Sequence, residues 1–352
     1  MRLQPGASGF TPEALSQKTR RQTMIGRKIF SYLPLFNPEE GITIVEPLNP
    51  GRGWWAGAPS VIYDESEKAF YLYYRLRKPR ELGRGAICVI ARSEDGIKFE
   101  EIWRAKKEDF NSPSIEKSAL FISPDGKRRL YISYVDSETN KWRVDMLEGD
   151  SFESLDPSKR RKIFTPEDIG VEGVKDPFVI MIGGVYFMIL SYAPTPPGVT
   201  EELKKKMHET ADVYNTGITK SHTGLAVSVD GVNFTWLGDI FSPREEGWDS
   251  YASRISTLIH MPPAFIAFYD GSASVEENYE EKTGLAVTFD LRNFIRLTVD
   301  GPILTSPHAS GSLRYLDAVA VDGKLYCYYE YARSDGSHEL RLNIVELRWD
   351  TN

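Results

Sequence analysis

Asp176 is the residue of this sequence most suited to chemistry. It stands in ValLysAspProPhe (174–178), directly ahead of an apolar run. The proline fixes the chain's approach, so the carboxylate is held rigidly. A catalytic or sugar-gripping aspartate fits this pattern; an aspartate capping a turn, for which Asp-Pro is common, is the competing reading. Glu116 occupies the matching place one repeat earlier, with Lys117 beside it for an ordinary ion pair. AsnTyrGluGlu (278–281) sets Glu280 and Glu281 beside an amide and an aromatic. Turned inward among like charges, one of them gains a raised pKa and the role of general acid; left in solvent, both are plain loop acids. Asp317 completes the catalytic candidates, and Glu172 and Glu330 are further acids of the same regions. Glycosidic cleavage uses two carboxyl groups, roughly 5–5.5 Å apart for retention and about 6.5–9.5 Å for inversion.

Around these acids stand the candidates for holding a substrate. Arg254, Arg314 and Lys175 can grip a sugar carboxylate or a phosphate by forked hydrogen bonds, or simply neutralise the acids. Trp54, Trp55 and Tyr315 can stack on a sugar ring, although a tandem Trp suits core packing equally well. Asp249, Asp270 and His338 fall in the same strand starts and loops.

The elements that must position these residues repeat five times. Each unit has an apolar strand, a turn, an aromatic-rich strand ending in Tyr, and a third strand: KDPFVIMI, VYFMILSY and HTGLAVSVDGVNF are one example. First-strand starts lie near Ala58, Lys117, Asp176, Arg254 and Tyr315. Such periodicity signals a propeller or solenoid. The expected fold is all-β, a five-bladed β-propeller with four-stranded antiparallel blades. The recurring Ser-x-Asp-Gly-x-x-Phe reads as a tight turn followed by an edge-packing Phe. Strand direction alternates within a blade, so first-strand starts and the loops between second and third strands open on one face. The expected layout is an extension over 1–40, with a short helix around Pro12–Thr23, then one propeller domain over 41–352. A lone strand near 41–46 (GITIVE) would pair with the last strands and close the ring. The long segment Pro194–Ser221, containing EELKKKMHE, reads as a loop that covers the mouth. His208 and His222, in or beside it, read as loop or strand-start residues rather than metal ligands.

Composition narrows the function. The chain has 352 residues and a formal net charge of −7. Without a basic cluster, nucleic acid is not an expected partner. LysLysLys (204–206), the longest basic run, reads as a solvated face. The two cysteines, Cys88 and Cys327, lie in apolar strand patterns and read as buried thiols. No run is apolar enough to span a membrane, and no leader-like segment opens the chain. A cytoplasmic protein acting on a small-molecule carbohydrate, with no organic cofactor, is the expectation.

The five-unit layout, the LysAspProPheVal strand and the repeated Ser-x-Asp-Gly-x-x-Phe together resemble the five-bladed β-propeller glycosidase superfamily. That superfamily contains glycoside hydrolase families 43, 32, 68, 62, 117 and 130. The resemblance covers about residues 50–350 and implies a glycosidase. LysAspPro is similar to the ArgAspPro element of the sucrose and fructan enzymes, which implies an acidic, substrate-orienting role for Asp176. Blade one departs from the pattern, because GlyAlaProSer (57–60) carries no acid. The resemblance also leaves room for a phosphorylase, with Lys175, Arg254 and Arg314 around phosphate, and for a structural calcium ion in the axial channel. A non-catalytic propeller that binds a glycan or a protein through the same face is the remaining alternative.

Overall fold

Aromatic and β-branched runs of three to twelve residues, bounded by Gly, Asp and Pro, set the strands of this chain. The computed structural model describes residues 33–347. The helix expected over Pro12–Thr23 lies outside the described residues. Blade one consists of β2 (Trp55–Asp64), β3 (Ala69–Arg77), β4 (Gly85–Ser93) and β5 (Glu100–Lys106), after a short β1 (Ile42–Val45). Blade two has β6 (Ala119–Ile122), β7 (Arg128–Val135), β8 (Trp142–Gly149) and β9 (Arg161–Phe164). Blade three has β10 (Val171–Ile182), β11 (Val185–Pro194), β12 (His222–Ser228) and β13 (Thr235–Phe241). Blade four has β14 (Ala252–Met261), β15 (Ala264–Ser272), β16 (Lys282–Thr288) and β17 (Phe294–Arg296). Blade five has β18 (Leu313–Val321), β19 (Lys324–Ala332) and β20 (His338–Glu346). Its fourth strand is β1, which pairs antiparallel with β20, Ile42 opposite Leu342.

The inner strands β2, β6, β10, β14 and β18 each pack on the next, and β18 returns to β2. The result is a closed five-bladed β-propeller. Burial follows the same plan, with one apolar cluster at each junction between blades. Tyr73 and Ile90 meet Leu130 and Ile132 between blades one and two, for example, and Leu72 meets Tyr328 and Leu340 between five and one. Cys88 and Cys327 are buried free thiols within two of these clusters.

The Ser-x-Asp-Gly-x-x-Phe element works as a turn. In blade three, Ser228 Oγ accepts from the backbone N–H of Asp230 and Gly231, and Asp230 Oδ1 accepts from Val232 and Asn233. The trailing Phe234 then packs edge-on against Tyr131 of blade two.

One local feature sets up the centre. The ladders of β2, β10 and β18 slip at the same place, between Gly57 and Ser60, Lys175 and Phe178, and Arg314 and Asp317. Within these bulges Ala58, Asp176 and Tyr315 have φ of 53°, 55° and 54°. Non-glycine residues seldom adopt this region, and a bulge there re-aims the side chain. Side chains of the preceding blade fasten these segments. Ser133 Oγ accepts from the Asp176 N–H at 3.3 Å, Thr223 Oγ1 from the Ile255 N–H at 3.0 Å, and Asp270 Oδ1 from the Tyr315 N–H at 2.9 Å. No helix among the described residues is long and apolar enough to cross a membrane.

Candidate active site

Two sets of residues meet at the axis. The first comes from the inner strands or the segments leading into them: Glu116 and Lys117, Lys175 and Asp176, Arg254, and Arg314 with Tyr315. The second comes from the middle strands, directly opposite. Arg75 faces Gly57, Ser191 faces Lys175, Asp270 faces Arg254, and Glu330 faces Arg314. Each interrupts an aromatic or apolar strand with a lone polar residue. Aligning the five repeats exposes that signal, and Arg75 is the residue that reading the inner strands alone misses.

These groups form one buried chain of alternating charge. Glu116 pairs with Arg75, whose Nη2 lies 3.0 Å from Glu330. Glu330 receives Arg314 at 2.7 Å, and Arg314 also reaches Glu281 at 2.7 Å. Glu281 pairs with Arg254, which lies 4.0 Å from Asp176, and Asp176 is 3.3 Å from Lys175. The chain runs through all five blades. The Tyr315 ring stands among the three guanidinium groups, 4.7 Å from that of Arg314 and 5.9 Å from those of Arg75 and Arg254. Lys175 Nζ sits between the Trp142 and Tyr214 rings, at 5.1 and 5.3 Å.

Burial and charge sort the titratable groups. Burial raises the Glu281 pKa, but Arg254 and Arg314 outweigh it and hold the group at about 2. Glu330 is likewise lowered, its burial outweighed chiefly by Arg314. Burial lifts Asp270 to about 7, with Glu281 adding to the rise and Arg254 opposing it. Burial lowers Lys175 against the pull of Asp176.

Asp176 differs from the other acids of the chain. It is 4% exposed, and neither carboxylate oxygen makes a hydrogen bond among the described residues. Glu281 is locked between two arginines, Glu116 is taken by Arg75, and Glu330 also accepts from His338 Nδ1 at 2.9 Å. Glu280 lies beside this chain, 3.1 Å from His338 Nε2.

Several expected site residues have other work. Asp317 joins adjoining blades. Its carboxylate accepts from the Val61 N–H at 2.9 Å, the Thr257 hydroxyl at 2.8 Å and its neighbour's N–H at 2.9 Å. This carboxylate is engaged by three donors, and Lys117 opposes its burial-raised pKa. Among the described residues no group of three or more His, Cys, Asp or Glu could hold a metal. Asp249 stands apart, taken by Arg296 at 2.8 Å, Tyr269 at 3.0 Å and Arg244. Trp55 offers no free face to a sugar: His338 stacks on it at 4.4 Å and Arg77 lies 4.2 Å from its ring centre. Trp54 is half-buried just before β2. Glu172 binds Thr195 at 2.8 Å and His208 at 2.9 Å, well down the strand from Asp176. His222 contacts Asp239 and Ser242 at the start of β12. A cavity of about 520 Å³, lined by Lys141, Glu172, Lys204 and His208 among others, separates the β7–β8 turn from the helix Glu201–His208.

No protein-family model matches the sequence, and no curated protein matches it. Solved structures do. The β-1,2-mannobiose phosphorylase of Listeria innocua superposes with a TM-score of 0.57 at 16% identity, over 90% of this chain and 96% of that one. A glycosyl hydrolase from Bacteroides ovatus gives 0.61 at 14%, over 88% and 94%. The GH43_1 enzyme of Xanthomonas citri, solved with xylotriose, gives 0.56 at 11%, over 88% and 92%. At this identity the shared property is the fold alone.

Proposed function

We propose that this chain is a glycan-active enzyme and, more finely, a glycoside hydrolase with Asp176 at its reacting centre. One observation carries the reading. Asp176 is the buried carboxylate on a strained inner bulge whose oxygens remain without hydrogen bonds, while the other acids of the ion chain are taken by arginines. A polar group left unpaired in such a place is expected to meet a ligand. The bond from the anomeric carbon to the leaving oxygen breaks as water adds at that carbon. Asp176 takes the water's proton, and Asp270, which carries a proton up to pH about 7, gives it to the leaving oxygen. Arg254, between the two, orients the sugar.

Water is favoured over phosphate as the attacking group because the arginines are already neutralised. Arg314 is forked between Glu281 and Glu330, and Arg254 is paired with Glu281. The test is a panel of aryl glycosides and short oligosaccharides, with and without inorganic phosphate. Release of free sugar without phosphate is expected, and Asp176→Asn should lower kcat/KM about 10²–10⁴-fold at unchanged circular dichroism. Phosphate-dependent release of a sugar phosphate would replace hydrolysis by phosphorolysis. Absence of turnover, or full activity in Asp176→Asn, would sink the reading.

A further inference from the structure

The segment between β11 and β12 leaves blade three and is fastened to three other blades. Asp212 is its anchor. Its carboxylate lies 3.5 Å from Arg84 of blade one, accepts from Trp142 Nε1 of blade two at 3.2 Å, and accepts from the Tyr279 hydroxyl of blade four. Around it, Arg84 Nη2 donates to the Ala211 carbonyl at 2.8 Å, and Asn278 Nδ2 donates to Asn215 Oδ1 at 2.8 Å. The Tyr251 hydroxyl donates to the Tyr214 carbonyl at 2.6 Å. Met207, Val213 and Tyr214 pack with Val135, Trp142 and Ala193 beneath. Burial raises the Asp212 pKa, but Arg84 and Lys175 outweigh it, so the anchor stays ionised below the usual carboxylate range.

This fastening fixes Tyr214, two residues on from Asp212, whose backbone N–H donates to Asp212 Oδ1 at 3.3 Å. The Tyr214 side chain is 1% exposed and 5.3 Å from Lys175 Nζ, in the fields of Asp176 and Arg254. Its hydroxyl has no hydrogen-bond partner of good geometry among the described residues, and neither has the Ser221 hydroxyl beside it. Burial raises the phenol well above its ordinary pKa, so it remains a donor and acceptor throughout the neutral range. A buried phenol without a partner is costly unless something fills the place.

We propose that Tyr214 is a substrate-contacting residue: its hydroxyl bonds a hydroxyl of the sugar held at Asp176, and Asp212 is the positioning residue that keeps it there. The proposal rests on the glycoside-hydrolase reading. The Pro194–Ser221 segment therefore completes the site as well as covering it, and the four residues Asp212, Tyr214, Lys175 and Asp176 act together.

The test compares Tyr214→Phe, Asp212→Asn, their double variant and Asp176→Asn on whichever glycoside the wild type turns over. Tyr214→Phe removes only a hydroxyl without a partner, so Tm should hold while kcat/KM falls about 10- to 100-fold, the size of one lost hydrogen bond. Asp212→Asn should lower kcat/KM too, and the double variant should lose little beyond the larger single effect, since both act through one hydroxyl. Wild-type kcat/KM in Tyr214→Phe, with Asp176→Asn inactive, overturns this inference and leaves the hydrolase reading standing. Multiplying losses in the double variant overturn the positioning role of Asp212. An active Asp176→Asn overturns the reading on which both rest.

Discussion

For single residues, the ion chain leaves one acid, Asp176, without a hydrogen bond among the described residues once the arginines have been served. Asp176 was legible from its neighbours, because LysAspPro ahead of an apolar run marks a held carboxylate. For Glu281 the sequence left two readings open, a solvated loop acid or an inward one with a raised pKa. The residue is buried, but Arg254 and Arg314 lower it to about 2, a reversal that the local sequence does not carry. Gly57 shows the same limit from the other side. GlyAlaProSer looked like a blade lacking its acid, yet a Cβ at Gly57 would overlap the Glu330 side chain. Blade one has its carboxylate, delivered from blade five. Gly57→Ala should therefore displace Glu330 from Arg75 and destabilise the fold by about 1–3 kcal/mol. Denaturant melts check it, and unchanged stability would mean that Glu330 relaxes freely.

At the scale of elements, the bulges and their fasteners do the positioning. Ala58, Asp176 and Tyr315 share one backbone conformation because three of the five inner strands, β2, β10 and β18, slip at the same place. Nothing in the local pattern of apolar residues announces such a slip, so the strands could be read but their kinks could not. Asp317 illustrates the consequence. It follows the blade-five bulge by two residues and turns toward Val61 and Thr257 of the adjoining blades. Asp317→Ala should leave two backbone N–H groups and a threonine hydroxyl without an acceptor and Lys117 without its neighbouring charge. A loss of about 1–3 kcal/mol is expected, the range for leaving buried donors without an acceptor. Combining it with Lys117→Met should recover part of that loss. If the single variant unfolds at the wild-type denaturant concentration, the fastening role is wrong.

At the scale of the whole molecule, the ion chain from Glu116 to Lys175 ties all five blades around one axis, and this makes the fold acid-sensitive. The Glu281 pKa is lowered from 4.5 to about 2 by its arginines. A depressed carboxylate contributes stability that is fully present above its unfolded value and is lost as pH falls through the folded one. The Glu281 share of Tm should thus hold down to about 4.5 and be lost steeply toward 2, whereas Asp270, raised to about 7, adds stability as pH falls below 7. Calorimetry across that range checks it; a Tm constant down to pH 2 would contradict the linkage. Ring closure adds to the same integrity, with β1 joining the last strand through the Ile42–Leu342 register.

The repeat, the five blades and the tight Asp-Gly turns could be read from the chain alone. These follow from the period of apolar residues and from turn chemistry, which act over a few residues. Which charge meets which appears only in three dimensions: Arg75 with Glu330, Arg254 with Glu281, and Asp212 with Arg84, Trp142 and Tyr279. Those pairings join residues 27 to 255 positions apart, the nearest being Arg254 and Glu281. They are fixed by where closing a ring brings strand ends together, a geometry that no local segment carries.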